Sequence, residues 1–278
     1  MFVKVVRLAT RWYHDRRSPP PPVRTEHASP AFVLHTRPYG ESDRIVTFIT
    51  EHHGRVTGIA KGAKNSRRRF AGTLEPFVHV RVVFHQQPTA DLAFLLRCEL
   101  LGALRGFARD LDRFAAGSYV LELTDRMVLG HEAGGAVYRL VREVLERLDE
   151  GAPADPVLRA FELHLLARSG YAPAFDRCRT CRAPTTAGPV YLALERGGLV
   201  CRACVRPGEP VRPVGPATAA ALGRLASGSL ADAAALPAAP LAEAARVVEH
   251  LLAQVLSAPL RSRAFLERLR VDSPTVVR

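Results

Sequence analysis

No stretch of this 278-residue chain approaches the roughly 18 consecutive apolar residues needed to cross a bilayer. The N-terminus also lacks an apolar signal core followed by a small-residue cleavage site, so a cytoplasmic protein with no membrane partner is expected. Motifs that announce common chemistries are missing too: there is no G-x-x-x-x-G-K-S/T phosphate loop, no G-x-G-x-x-G, no H-E-x-x-H and no G-x-S-x-G. These absences argue against nucleotide hydrolysis and serine-dependent hydrolysis, and no catalytic centre is expected. A nuclease would need carboxylates gathered around Mg²⁺. Glu41 and Asp43 flank Ser42 ahead of a β-type run, which reads as a turn that caps a strand start rather than as a metal pair. Acidity is in short supply: 39 Lys and Arg face 27 Asp and Glu, for a formal charge of +12. That balance points to a polyanionic partner, with nucleic acid the leading candidate.

Cysteine is scarce as well, five residues in all, yet four of them form a pattern. Cys178-x2-Cys181, nineteen intervening residues and Cys201-x2-Cys204 place two thiolate pairs at the spacing of a zinc ribbon. Each pair sits in a turn-rich stretch, with Pro184 after the first and Pro207-Gly208 after the second, which favours a metal over two disulfides or a redox dithiol. With sulfur in all four positions none stays open for water or substrate, so Zn²⁺ is expected to be structural. Binding it would lower the formal charge to about +10. The fifth, Cys98, lies in an apolar stretch and reads as a small buried hydrophobe.

The length allows two or three cores of roughly 100–150 residues each. Residues 1–29 read as an appendage, with Arg11, Arg16, Arg17 and the run Pro19 to Pro22: a basic arm, a disordered tail or a start placed too far upstream. From 30 to 105, runs rich in Val, Ile, Phe and Thr predict five short strands over 31–36, 44–50, 55–60, 77–84 and 92–98. Five strands in about 70 residues suggest a small closed barrel, an OB-fold or an SH3-like one, with a sheet face for nucleic acid. After Asp110 the period becomes helical, with Leu111, Phe114, Tyr119 and Leu123, then Val137, Val141, Val144 and Leu148. A third helix is predicted over 156–169 with Asp155 as N-cap, and three more over 215–227, 241–256 and 260–270. The expected fold is α+β: an N-terminal barrel and a helical domain (106–176 and 210–270) carrying an inserted ribbon (177–209), with a tail at 271–278.

The densest cationic cluster is Lys61, Lys64, Arg67, Arg68 and Arg69, five positive side chains within nine residues. Gly62, Ala63, Asn65 and Ser66 interrupt it, as in a loop between barrel strands that could follow a phosphate backbone. His52 and His53 precede Gly54 in a hairpin-turn pattern and read as surface residues. Few aromatics (Phe32, Tyr39, Phe48) fall on the barrel, so strong base stacking is not expected. A zinc-ribbon transcription or RNA-binding module remains the alternative on these grounds.

Several segments then resemble one family. Pro38 to Arg44, Glu51 to Gly54, Lys61-Gly62-Ala63 and the Phe70 to Phe77 stretch are similar to the N-terminal barrel of the bacterial recombination mediator RecO family. Phe161-Glu162-Leu163 with Gly170-Tyr171-Ala172-Pro173 is similar to that family's central helix and its entry to the zinc ribbon, and Arg261 to Leu266 resembles the closing helix. The resemblance implies an OB-fold that binds single- and double-stranded DNA and anneals complementary strands in DNA repair and recombination. It further implies docking on the acidic tail of single-stranded DNA-binding protein (SSB) and action with RecR to load RecA, at the nucleoid. Carried over by position, Lys61, Lys64, Arg67, Arg68 and Arg69 would contact the DNA backbone, with Arg44 and Arg81 as weaker contacts. The four ribbon cysteines, Cys178, Cys181, Cys201 and Cys204, would hold zinc. The basic helical faces around Arg126, Arg139 and Arg142 could receive the acidic, apolar-ended SSB tail, or be an ordinary solvated helix face.

Overall fold

Residues 25–86, 92–130 and 134–272 are described by a computed structural model. Residues 1–24 of the expected arm and 273–278 of the expected tail lie outside the described residues. Five strands fall where the β-type residues cluster: β1 (Glu26–Tyr39), β2 (Asp43–Thr50), β3 (Gly54–Ala60), β4 (Val78–His85) and β5 (Ala93–Ala103). β1 therefore starts within the stretch read as an appendage. Hairpins join β1 to β2 and β2 to β3, while β5 runs parallel to β3 and antiparallel to β4. β4 then pairs with β1, so the sheet closes into a barrel in the order β1-β2-β3-β5-β4. Gly40 and Gly54 turn the two hairpins at φ of 61° and 63°, where a Cβ would be strained.

Val33, Val46, Phe48, Val82, Phe84 and Leu95 fill the barrel interior. The outer side of β1 and β2 is also buried, because Phe32, Leu34 and Ile49 join the core of the helical region. Burial on both faces is why Ile45–Thr50 is buried without alternation.

The helices are α1 (Leu111–Met127), α2 (Gly134–Glu150), α3 (Ala154–Arg168), α4 (Pro216–Ser227), α5 (Leu230–Ala233), α6 (Ala238–Val255) and α7 (Arg261–Asp272). Asp110 caps α1 by accepting the Arg113 N–H at 3.0 Å. Asp155 does not cap α3 as expected: the helix begins at Ala154 behind Pro153, and Asp155 lies inside the first turn. There it complements the positive end of the helix dipole instead. The single turn α5, closed by a Ser229–Asp232 capping box, went unforeseen because four residues carry no periodicity.

Polar bonds join these layers. Arg55 on β3 pairs with Asp125 on α1 at 2.8 Å, and His79 on β4 meets the Tyr138 hydroxyl on α2 at 2.7 Å. Between α3 and α4 the chain forms a three-stranded sheet, β6 (Val190–Ala193), β7 (Gly198–Cys201) and β8 (Val211–Val214), in the order β7-β6-β8. This sheet interrupts the helical region and runs to Val214.

Candidate nucleic-acid interface and metal centre

At the end of β3 the chain turns into the cationic loop through Gly62, whose φ is 66°, and a single 3-10 turn over Ala63–Asn65. Asp43, at the start of β2, organises this turn. Its carboxylate accepts the Gly62 N–H and takes the Lys61 ammonium, each at 2.8 Å. The Lys61 contact, followed by the Gly62 N–H, holds the Asp43 carboxyl below its ordinary range, and Asp43 in turn raises Lys61. Lys64 donates to the Glu41 carbonyl at 2.7 Å, and Arg69 donates to the Lys61 carbonyl at 2.7 Å. Phe70 and Leu74 plug the barrel interior beneath the loop, while the Cys98 N–H of β5 binds the Arg69 carbonyl at 2.8 Å. All five cations are exposed. Lys61, Lys64 and Arg69 thus hold the loop in shape, and Arg67 and Arg68 make no side-chain hydrogen bond or ion pair among the described residues. These two guanidinium groups are free to neutralise phosphates.

Arg44 sits opposite Ala60 in register, next to the loop, and pairs with Glu75 at 2.9 Å. Arg81 does not join them. It lies opposite Pro30 and Glu99 in a charge-balanced outer ladder, where Arg81–Glu99 is 4.0 Å, Arg97–Glu99 2.9 Å and Arg97–Glu26 3.8 Å. Of the three aromatics noted on the barrel, Phe32 and Phe48 are buried and Tyr39 is exposed at a hairpin end. His52 is a surface residue as expected, but His53 is half-buried, edge-on to Phe84 with ring centres 5.5 Å apart. Cys98 is buried, and burial pushes its thiol up to about 12.

The sulfur atoms of Cys178, Cys181, Cys201 and Cys204 all lie within 4.8 Å of one another. The first pair rides a turn closed by Arg182 at φ 65°, and the second leaves β7 on a 3-10 turn over Arg202–Cys204. Arg196 staples the two turns together. Its guanidinium donates to Thr180 Oγ1 at 2.7 Å and to the Cys204 carbonyl at 3.1 Å, while pairing with Glu209 at 2.5 Å. Burial raises the Cys178 thiol, but backbone N–H groups of Cys181, Cys201 and Thr180 outweigh it and bring it down to about 6. Hydrogen bonds with Cys201 and Cys181 push Cys204 up to about 12, the mark of sulfurs crowded together. Four converging sulfur donors fit one tetrahedral metal ion with no open position.

Arg126, Arg139 and Arg142 are exposed but face different neighbours. Arg126 lies near Glu122 on α1, Arg139 near Arg168 of α3, and Arg142 pairs with Glu146 at 2.7 Å. Sequence reasoning missed a cleft of mixed charge, lined also by Asp155, Glu249 and Glu267. Arg159 and Arg263 line a hollow of about 410 Å³ between α1, α3, α6 and α7, with Leu241, Ala245 and Leu266 on its apolar side. Arg159 pairs with the buried Glu162 at 2.7 Å, and Arg263 pairs with Glu267 at 2.9 Å and with Glu249. About a hundred residues separate the two arginines, so no local charge density announced them; only the Arg261 to Leu266 similarity touched the site.

These elements make an α+β protein that presents a cationic loop on one end of a small barrel and a four-cysteine cluster within a helical region. Residues 24–104 match the family model for the Recombination protein O N terminal region, and residues 108–264 match that for the C terminal region. A DNA repair protein RecO from Anaeromyxobacter sp. (strain K) is 40% identical over 243 residues, covering 85% of this chain and 94% of that protein. The RecO of Geobacter metallireducens is 35% identical over 242 residues, covering 87% and 97%. The chain belongs to the RecO family of DNA repair proteins. The family resemblance in the barrel, central helix and closing helix is thereby borne out.

Proposed function

We propose that this chain is a non-enzymatic recombination mediator that binds single- and double-stranded DNA without sequence preference and anneals complementary strands. In this reading it helps load RecA onto SSB-coated DNA together with RecR, and works in the cytoplasm at the nucleoid. The observation that carries it is the loop at the barrel end, with Arg67 and Arg68 exposed and without a side-chain partner among the described residues, on a scaffold pinned by Asp43. Annealing requires neutralising two phosphate backbones while leaving the bases free to search, which needs cations and no catalytic group. The strand order, with β5 beside β3 and β1 closing on β4, supports an OB-type barrel over an SH3-like one.

Cys178, Cys181, Cys201 and Cys204 would hold a structural Zn²⁺, which would clamp the two cysteine turns. For an acidic tail with an apolar end, the Arg159–Arg263 cleft supplies an apolar wall, but Asp155, Glu249 and Glu267 line it beside the two arginines, so the tail would have to displace the acids that already pair with Arg263. The test is annealing of two complementary labelled oligonucleotides, each coated with SSB, with and without the chain and without nucleotide. Acceleration supports the mediator reading; binding without faster pairing overturns it.

A further inference from the structure

We propose that the tip of the cysteine-bearing sheet is a second nucleic-acid backbone site, so that one molecule can hold two strands at once. Arg179, Arg182 and Arg202 each adjoin a cysteine of the cluster, one Cα step of about 3.8 Å away, and Arg206 lies two residues beyond Cys204. All four side chains are exposed and make no hydrogen bond or ion pair among the described residues. Glu209, a carboxylate of the same turn, is already engaged: its two oxygens take the Arg196 guanidinium and its Oε2 also accepts the Arg206 backbone N–H. The four arginines come from two separate turns, yet the four sulfurs within 4.8 Å and the Arg196 staple bind those turns into one body. A zinc tetrathiolate would carry a net charge of about −2, which four guanidinium groups exceed.

The geometry therefore places unpaired cations on a rigid support that belongs to a different sheet from the barrel loop. The fitting ligand is a phosphodiester backbone, which carries one charge per about 1.7 Å along a duplex. Two separated cationic sites on one chain provide what pairing of two strands requires, namely a place for each. This inference rests on the proposed DNA-binding reading and adds the site for the second strand.

The test uses the full zinc-loaded chain and two variants, one with Arg179, Arg182, Arg202 and Arg206 all replaced by Ala and one with all four replaced by Lys. Binding of a labelled single strand and a labelled duplex is followed by anisotropy across a salt series, with zinc content measured for each protein. The Ala variant is expected to keep its first strand through the barrel loop. Its capture of a second strand should show a log–log salt slope smaller by about 2–4, with annealing at least tenfold slower. The Lys variant, which keeps the charge, should retain the wild-type slope. An Ala variant with full zinc and unchanged slope and annealing overturns the ribbon site alone, and so does a zinc-loaded Lys variant that loses the slope. If the wild-type chain binds neither nucleic acid, the DNA-binding reading falls, and this inference falls with it.

Discussion

Glu162 offers the sharpest test of how the helical region is held. Its side chain is fully buried on α3, where Oε1 accepts the Tyr119 hydroxyl at 2.5 Å and meets Arg159 at 2.7 Å, while Oε2 has no hydrogen-bond partner among the described residues. Replacing it with Ala strands a largely buried guanidinium and a buried phenol, and removing one partner of such a pair costs about 3–5 kcal/mol. Gln keeps the shape and an acceptor for Tyr119 but loses the charge, so a loss of about 1–3 kcal/mol is expected. At about 2–4 °C per kcal/mol, the two variants should separate clearly in a thermal melt.

The pH profile adds a second readout. Burial raises the Glu162 carboxyl above its ordinary value of 4.5, against the opposing pull of Arg159 and Tyr119. A raised carboxyl means that the folded state binds more protons than the unfolded one, so stability declines as pH rises through the window that opens at 4.5. Glu162→Gln removes that component of the decline. The reasoning is refuted if Gln destabilises as much as Ala, or if wild type and Gln variant share the same slope of stability against pH.

Three further outcomes are expected. Arg67→Ala with Arg68→Ala should lower the salt slope of DNA binding by about 0.9 for each phosphate that is no longer neutralised; Lys61→Ala should lower it less, because that ammonium already rests on Asp43. Equal reductions in a salt titration would remove the distinction drawn between pinning and binding cations. Cys178→Ser should abolish stoichiometric metal and lower the melting temperature, since metal binding is coupled to folding; full metal content by mass spectrometry would refute the tetrathiolate site. Gly58→Ala should destabilise the barrel by about 1–3 kcal/mol, because a Cβ there would lie 2.5 Å from Leu95 Cδ2 and 3.0 Å from the Ala93 carbonyl. Urea denaturation would measure this, and an unchanged midpoint would mean that β3 and β5 can part at no cost.

What could be read from the chain divides by the range of the interaction. The cysteine pairs and the Lys61–Arg69 run are local patterns, and the fold left them where the spacing put them. The strands were legible from residue type, but their closure depends on β4 reaching β1 and β5 reaching β3, pairings that no window of sequence contains. The same limit explains the Arg159–Arg263 cleft, whose lining comes from four helices. It also explains the arginines beside the cysteines. Arg179, Arg182, Arg202 and Arg206 read as turn residues one at a time; only the meeting of the two turns makes them a cluster. In this chain charge density along the sequence marks the first cationic cluster, and only charge density in space marks the second. If the chain pairs two strands as proposed, cations kept in two places would give each strand its own support, and it is the fold, rather than the sequence order, that assembles the second group.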